Sequence, residues 1–213
     1  MQFGLKVPPA PRLPSAGDVY TRLDQEQLTN ILRLYFNQLS GNVQSIAGAN
    51  GGQYVECPNG LFFATADQTF ALPNTAYPIV FDQTYLHNAV DLVSASRIVI
   101  SVPGIYNFQY TGQIKSTNAS SKSVWLWIRR DGTDIGYSTR AYTISLNNEY
   151  KEIGWNFDID MQSDQYIEMV IAVSDVNVTL EAEAPTSPHP GIASSVMTIN
   201  YISPLPDTLP TPP

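Results

Sequence analysis

The chain reads as a mainly β protein, a C-terminal β-sandwich preceded by a Pro-rich arm and one amphipathic α-helix. Three observations carry that expectation. From residue 61 onward, short runs rich in Val, Ile, Tyr, Phe, Trp and Thr are separated by turn dipeptides, and no helix-period segment interrupts them. Ahead of that half, Leu28, Ile31, Leu32, Tyr35, Phe36 and Leu39, then Val43 and Ile46, recur mostly at steps of three and four and define one apolar stripe. At the front, Pro8, Pro9, Pro11 and Pro14 favour an extended polyproline-like conformation.

In chain order, residues 1–17 form the extended arm and 18–46 the helix, which serves as anchor or trimerisation element. Asp18 or Asp24 is the expected N-cap, Gln25, Glu26 and Gln27 favour the first turn, and Gly41 is expected to end or weaken the helix after Leu39-Ser40. Residues 47–60, AGANGGQYVECPNG, are a Gly-rich linker. Gly51-Gly52 is no phosphate loop, because no Lys-Ser/Thr follows it. The head domain spans 61–203, with strands expected at 61–65, 68–72, 78–85, 89–93, 96–102, 105–116, 122–130, 135–145, 150–160, 165–174, 176–183 and 194–202. Turns are expected at Pro73-Asn74, Asp131-Gly132, Asn147-Asn148, Ser163-Asp164 and from Pro185 to Gly191. Residues 204–213 are a Pro-rich tail that either stays extended or lies in a groove on a neighbour.

Two strands are the most informative. In residues 98–114, IVISVPGIYNFQYTGQI, a β-rich run breaks at Pro103-Gly104 and resumes with Tyr106, Phe108 and Tyr110. Side chains alternate faces along a strand, so these three rings share one face. In residues 124–128, Val124, Leu126 and Ile128 share one face while Trp125 and Trp127 share the other. A strand apolar on both faces is covered on both. Trp125, Trp127 and Tyr166 are therefore expected at a subunit interface of the head, each protomer offering a flat aromatic face to the next. An aromatic sugar-binding platform is the competing reading. Leu28, Ile31, Leu32, Tyr35, Phe36 and Leu39 are expected to pack in a trimer or an anchor.

Composition narrows the function. The chain has 213 residues and a net charge of −8, which speaks against a nucleic-acid groove, because that needs clustered Lys and Arg. Its local basic pair, Arg129-Arg130, is followed at once by Asp131. No apolar run reaches the ~18 residues of a membrane span, so no membrane insertion is expected. The N-terminus, MQFGLKVPPAPRLP, lacks the apolar segment of a secretory signal. Cys57 stands alone and is expected to be a semi-buried small hydrophobe. His87, placed between strands, and His189, in a Pro-flanked loop, belong to no nucleophile elbow and no His-x-x-x-His pair. Asp158 and Asp160 lie on the polar face of the alternating stretch 151–161. Together with Asp164 they lack an EF-hand pattern, so a solvated acidic face is expected, with no cofactor and no catalytic residue.

The segment Val102-Pro103-Gly104-Ile105-Tyr106-Asn107-Phe108 resembles the opening of the core of the C1q/TNF-type jelly roll. Val124 to Ile128 with Arg129-Arg130-Asp131-Gly132 resembles that family's strand leading into a hairpin. Ser163-Asp164-Gln165-Tyr166-Ile167-Glu168-Met169 resembles its next turn and strand, with Ser163 where the family often has Gly. Ser195 to Ile202 takes the place of the closing strand but lacks its Phe and Gly. The resemblance covers roughly 66–203 and implies a C1q/TNF-like jelly-roll head that works as a trimer and binds or decorates rather than catalyses.

A second resemblance lies upstream. VPPAPRLPSAGDVYTRLDQEQLTNILRLYFNQLSG is similar to an N-terminal module of bacteriophage structural proteins, matching at Pro8, Pro9, Leu32, Tyr35, Phe36, Gln38 and Leu39. It implies a non-enzymatic virion protein of capsid decoration, cement or head-fibre type. That protein would be a homotrimer on the exterior surface of the particle, anchored to the capsid or another virion protein by arm and helix. The alternative is a tail-fibre or tail-appendage protein whose head recognises a host surface glycan.

Overall fold

The computed structural model describes residues 8–14, 21–47 and 57–206. Expectations for Asp18, for Gly51-Gly52 and most of the linker, and for the end of the C-terminal tail fall outside those residues. The chain divides into two compact units, Met1–Glu56 and Cys57–Pro213.

In the first unit, residues 8–14 carry no helix or strand, and one helix, α1, spans Arg22–Ala47. Its N-cap is Thr21, and Asp24 sits three residues inside the turn. The Asp24 N–H donates to Thr21 Oγ1 at 3.2 Å and the Thr21 N–H donates to Asp24 Oδ2 at 3.0 Å. This reciprocal capping box corrects Asp24 as the cap. Hydrogen bonds from Thr21 hold the Asp24 carboxyl below the usual carboxylate range. The helix also runs past Gly41, where an end was expected. A mid-helix glycine costs about 1 kcal/mol, too little by itself to stop a helix of 26 residues.

The second unit is a two-sheet antiparallel sandwich. Along the chain its strands are β1 (Asn59–Ala64), β2 (Tyr77–Pro78), β3 (Gln83–Asn88), β4 (Val90–Leu92), β5 (Ile98–Ile100), β6 (Gly104–Ser116) and β7 (Lys122–Arg130). They continue as β8 (Thr133–Asp134), β9 (Arg140–Ile144), β10 (Tyr150–Met161), β11 (Tyr166–Val173), β12 (Val178–Leu180) and β13 (Ser195–Ser203). One sheet has the order β10-β6-β13-β1-β3, with β12 also pairing β6. The other has the order β4-β5-β11-β7-β8, with β2 on β11 and β9 on β7. Strands β5, β6 and β7 change sheet at each step, as do β10, β11 and β13, while the first and last strands pair side by side. Chain crossings of this kind between two packed sheets make a jelly roll.

The core lies where the alternation placed it. Tyr106, Phe108, Tyr110 and Ile114 of β6 are buried, as are Val124, Leu126 and Ile128 of β7 and Ile167, Met169, Ile171 and Val173 of β11. The buried phenols are satisfied: Tyr106 Oη donates to Val102 O at 2.6 Å, and Tyr110 Oη lies 2.9 Å from Ser195 Oγ. Lys122 is also core-facing. Its ammonium donates to Asn118 O at 2.9 Å and Ser120 O at 2.6 Å, which closes one end of the sandwich.

Several strand expectations change. Residues 68–72 form no strand, only a bridge from Gln68 to Leu180. The expected strand 78–85 is split into β2 and β3, so His87 lies within a strand rather than between two. Residues 135–139 form a turn and only 140–144 extend. Four of the five expected turns carry left-handed residues, at Asn74, Asp131, Asn148 and Asp164, with φ from 49° to 65°. Cys57 is exposed rather than semi-buried, because it precedes the first core-facing residue of β1.

Gly104 is required by close approach. A Cβ there would strike the Tyr201 ring and lie 2.9 Å from the Ser203 carbonyl oxygen. That oxygen belongs to β13, paired with β6, and has little freedom to move. Gly104→Ala is therefore expected to destabilise the head by about 1–3 kcal/mol, read as a lower urea midpoint. An unchanged midpoint would contradict this register.

Burial, with Tyr201 alongside, pushes the Tyr106 phenol from 10.0 up to about 12, and burial raises Tyr110 as well. The unfolded chain releases these protons near pH 10.0, while the folded chain still holds them. Stability is thus fully present below pH 10.0 and is lost as pH rises toward about 12. The urea midpoint should fall across that window, and less steeply in Tyr106→Phe. Equal slopes in the two proteins would show that Tyr106 does not carry the effect.

Candidate binding face

The outward residues of β7 are Trp125, Trp127 and Arg129, and they neighbour Ala172, Val170 and Glu168 of β11 through the β7–β11 register. On the far side of β7 lies the turn 134–139, between β8 and β9. Trp125 and Trp127 are half-buried. Their rings line a shallow, open groove of about 470 Å³ together with Asn74, Asp134, Tyr137 and Thr139. This turn borders the aromatic face expected from Trp125 and Trp127 on one side.

The turn is locked from below. Ile135 N–H donates to Ile128 O at 3.0 Å, and the buried Ser138 hydroxyl donates to Ile135 O at 2.8 Å. The same hydroxyl accepts Ile128 N–H at 3.3 Å. Trp155, reaching across the interior from β10, donates its indole N–H to Ser138 O at 2.7 Å. With Ser138 held inside, its neighbour Tyr137 has one way out. It sits at φ 60° and its side is 89% exposed. A bulky residue in that left-handed region is strained by about 1–2 kcal/mol.

Polar groups rim the aromatic floor. Asp134 Oδ1 accepts Trp127 Nε1–H at 2.8 Å and Arg129 Nε–H at 2.9 Å. The indole bond, followed by Arg129, holds the Asp134 carboxyl below the usual range and keeps it ionised. Both bonds land on one oxygen, so Oδ2 keeps its acceptor capacity. Among the described residues, the Asn74 side-chain amide, the Thr139 hydroxyl and Trp125 Nε1 have no hydrogen-bond partner.

Tyr166 shares the outer face of this sheet but not the groove. It begins β11, beneath the Arg97 guanidinium at 4.7 Å from the ring centroid, and Arg97 in turn pairs with the buried Glu168 at 3.4 Å. In the first unit, Leu28, Ile31, Leu32, Tyr35 and Leu39 lie half-buried along one stripe of α1, whereas Phe36 is 59% exposed. Asp158 is exposed, Asp160 pairs with Arg130 at 3.1 Å, and Asp164 sits in its turn. Among the described residues, no three His, Cys, Asp or Glu side chains gather as metal ligands. Sequence reasoning missed Tyr137, Asp134 and Asn74 as neighbours of the two indoles. Gly136-Tyr137, an aromatic directly after a glycine in a polar stretch, was the available signal for a turn there.

No family model matches the chain, and no curated protein matches it. Among solved structures it is similar to the globular domain of zebrafish complement 1qA, at 10% identity and a TM-score of 0.45, over 70% of this chain and 99% of that one. The jelly-roll assignment rests on the strand order and register above.

The strain at Tyr137 has a measurable consequence. Tyr137→Gly removes an exposed ring and relieves about 1–2 kcal/mol, against about 0.5–1 kcal/mol of added chain entropy. The thermal midpoint should rise by up to about 4 °C. Tyr137→Ala keeps the Cβ and should give no such rise. Equal midpoints for the two variants would show that the turn is unstrained.

Proposed function

We propose that the protein is a non-enzymatic, homotrimeric virion component of a bacteriophage, of capsid decoration, cement or head-fibre type. In this reading it stands on the exterior of the particle, with arm and helix as anchor and the jelly roll projecting. The observation that carries the reading is the uncovered apolar surface of α1. Along the same stripe, Phe36, Val43 and Ile46 are all more than half exposed. A helix draws most of its stability from burying an apolar face, and exposed apolar residues on that face mark an interaction site. Three copies meeting along the stripe bury Leu28, Ile31, Leu32, Tyr35 and Leu39, and leave Phe36 and its neighbours for the particle.

The resemblance of the arm and helix to phage structural modules supports the virion setting. The surroundings of the imidazoles support the non-enzymatic reading. His87 Nδ1 lies 2.7 Å from Asp91 Oδ1 on an exposed strand face, and His189 Nδ1 lies 2.9 Å from Pro190 O. Among the described residues, neither ring bonds a Ser, Thr or Cys side chain that it could activate.

Sedimentation velocity tests the assembly. The full chain should run as a trimer, and Leu32→Ala with Leu39→Ala should shift it to monomer while the head keeps its thermal midpoint. A wild-type chain that stays monomeric at its solubility limit would exclude the trimer. Immunogold labelling of phage particles carrying the protein should decorate the outer surface of the head, and label confined to the tail would exclude the decoration reading.

A further inference from the structure

We infer that the groove over Trp125, Trp127 and Tyr137 is a binding site for neutral sugar rings of an oligosaccharide. This goes beyond the assembly proposed above and does not depend on it.

Size and lining agree with a ligand site. A volume of about 470 Å³ lies within the range of small-molecule sites, which have apolar walls and a few placed polar groups. Two indoles and the exposed Tyr137 phenol contribute to its lining. Pyranose rings present patches of C–H bonds on their faces, and these meet the electron-rich faces of indole and phenol favourably. Sugar edges present hydroxyls, each both donor and acceptor. The groove offers matching groups without protein partners among the described residues: the Asn74 side-chain amide, the Thr139 hydroxyl, Trp125 Nε1–H and the second oxygen of Asp134.

The same groups argue against other occupants. An apolar segment from a second copy, or a Pro-rich stretch of the chain, would cover those polar groups without pairing them, which is costly. An anionic ligand would meet the ionised Asp134 on a chain of net charge −8, and Arg129, the cation at the rim, is already paired at 2.9 Å. A neutral polyol satisfies both constraints. The strained Tyr137 fits as well. Its ring is exposed and adds little to the core, so backbone strain retained there points to use at the surface.

The test uses the full chain and four neutral probes: chitotetraose, maltotetraose, cellotetraose and mannotetraose. Tryptophan fluorescence and saturation-transfer NMR should detect binding of at least one, with a Kd of about 1 mM or tighter. Trp125→Ala and Tyr137→Ala should each weaken that binding about tenfold or more. Tyr85→Ala, an exposed tyrosine on β3 of the other sheet, should leave it unchanged. Thermal midpoints confirm that each variant is folded, and Tyr137→Gly, expected to be the more stable chain, should lose binding as Tyr137→Ala does. Failure of all four probes to bind at about 10 mM would overturn the site. Binding that survives both aromatic variants would do the same. So would displacement of a bound probe by a synthetic peptide of residues 204–213, or loss of self-association on Trp125→Ala, since either would assign the groove to the chain itself. A chain that binds sugar through Trp125 yet stays monomeric would sink the trimer and leave this site standing.

Discussion

Burial of the row Tyr106, Phe108 and Tyr110 between the two sheets governs the geometry of the head. These rings sit on β6, the strand that pairs with β10 on one side and with β13 and β12 on the other. Each ring removes a large apolar area from water, and each phenol finds a hydrogen-bond partner. A slip of one residue would turn all three rings outward and bring Asn107, Gln109 and Thr111 into the core. The register of the first sheet is therefore tightly specified, and Gly104 sits where β6 and the end of β13 come too close for any side chain.

Pinning the inner face decides the outer one. Because Val124, Leu126 and Ile128 must face the core, Trp125 and Trp127 must face out. Their surroundings then follow from how the chain leaves β7. It turns at Asp131-Gly132, pairs briefly as β8, and folds Ser138 back inside, where Trp155 from the opposite sheet holds it. Core hydrogen bonds thus support one side of a surface groove. The groove owes that border to the interior, and Tyr137 owes its strain to the same clamp.

The two units divide the physical work. The sandwich fills a core with its own apolar side chains and meets its buried polar groups internally. Among the described residues, no buried side-chain nitrogen or oxygen lacks a partner. The helix does the opposite and leaves leucine, phenylalanine, valine and isoleucine side chains in water. A chain built this way has one part that is complete by itself and one that is stabilised by what it joins.

Periodicity by itself determined the elements and their faces: the helix stripe, the core rows of β6 and β7, the acids on the outside of β10, and four of the turns. These depend on neighbours a few residues apart, and the side-chain period of a helix or strand is set by local backbone geometry. Only the tertiary structure decided what came to stand beside what. It put Thr21 rather than Asp24 at the helix cap and carried α1 through Gly41. It turned Lys122 inward onto two loop carbonyls, and broke the expected strand 135–145 to raise Tyr137 beside two indoles. Asn74 and Trp125 are far apart in sequence and share one groove because β11 runs between their segments. Such juxtapositions arise from long-range strand pairing, whose partners carry no mark in the local pattern of residues.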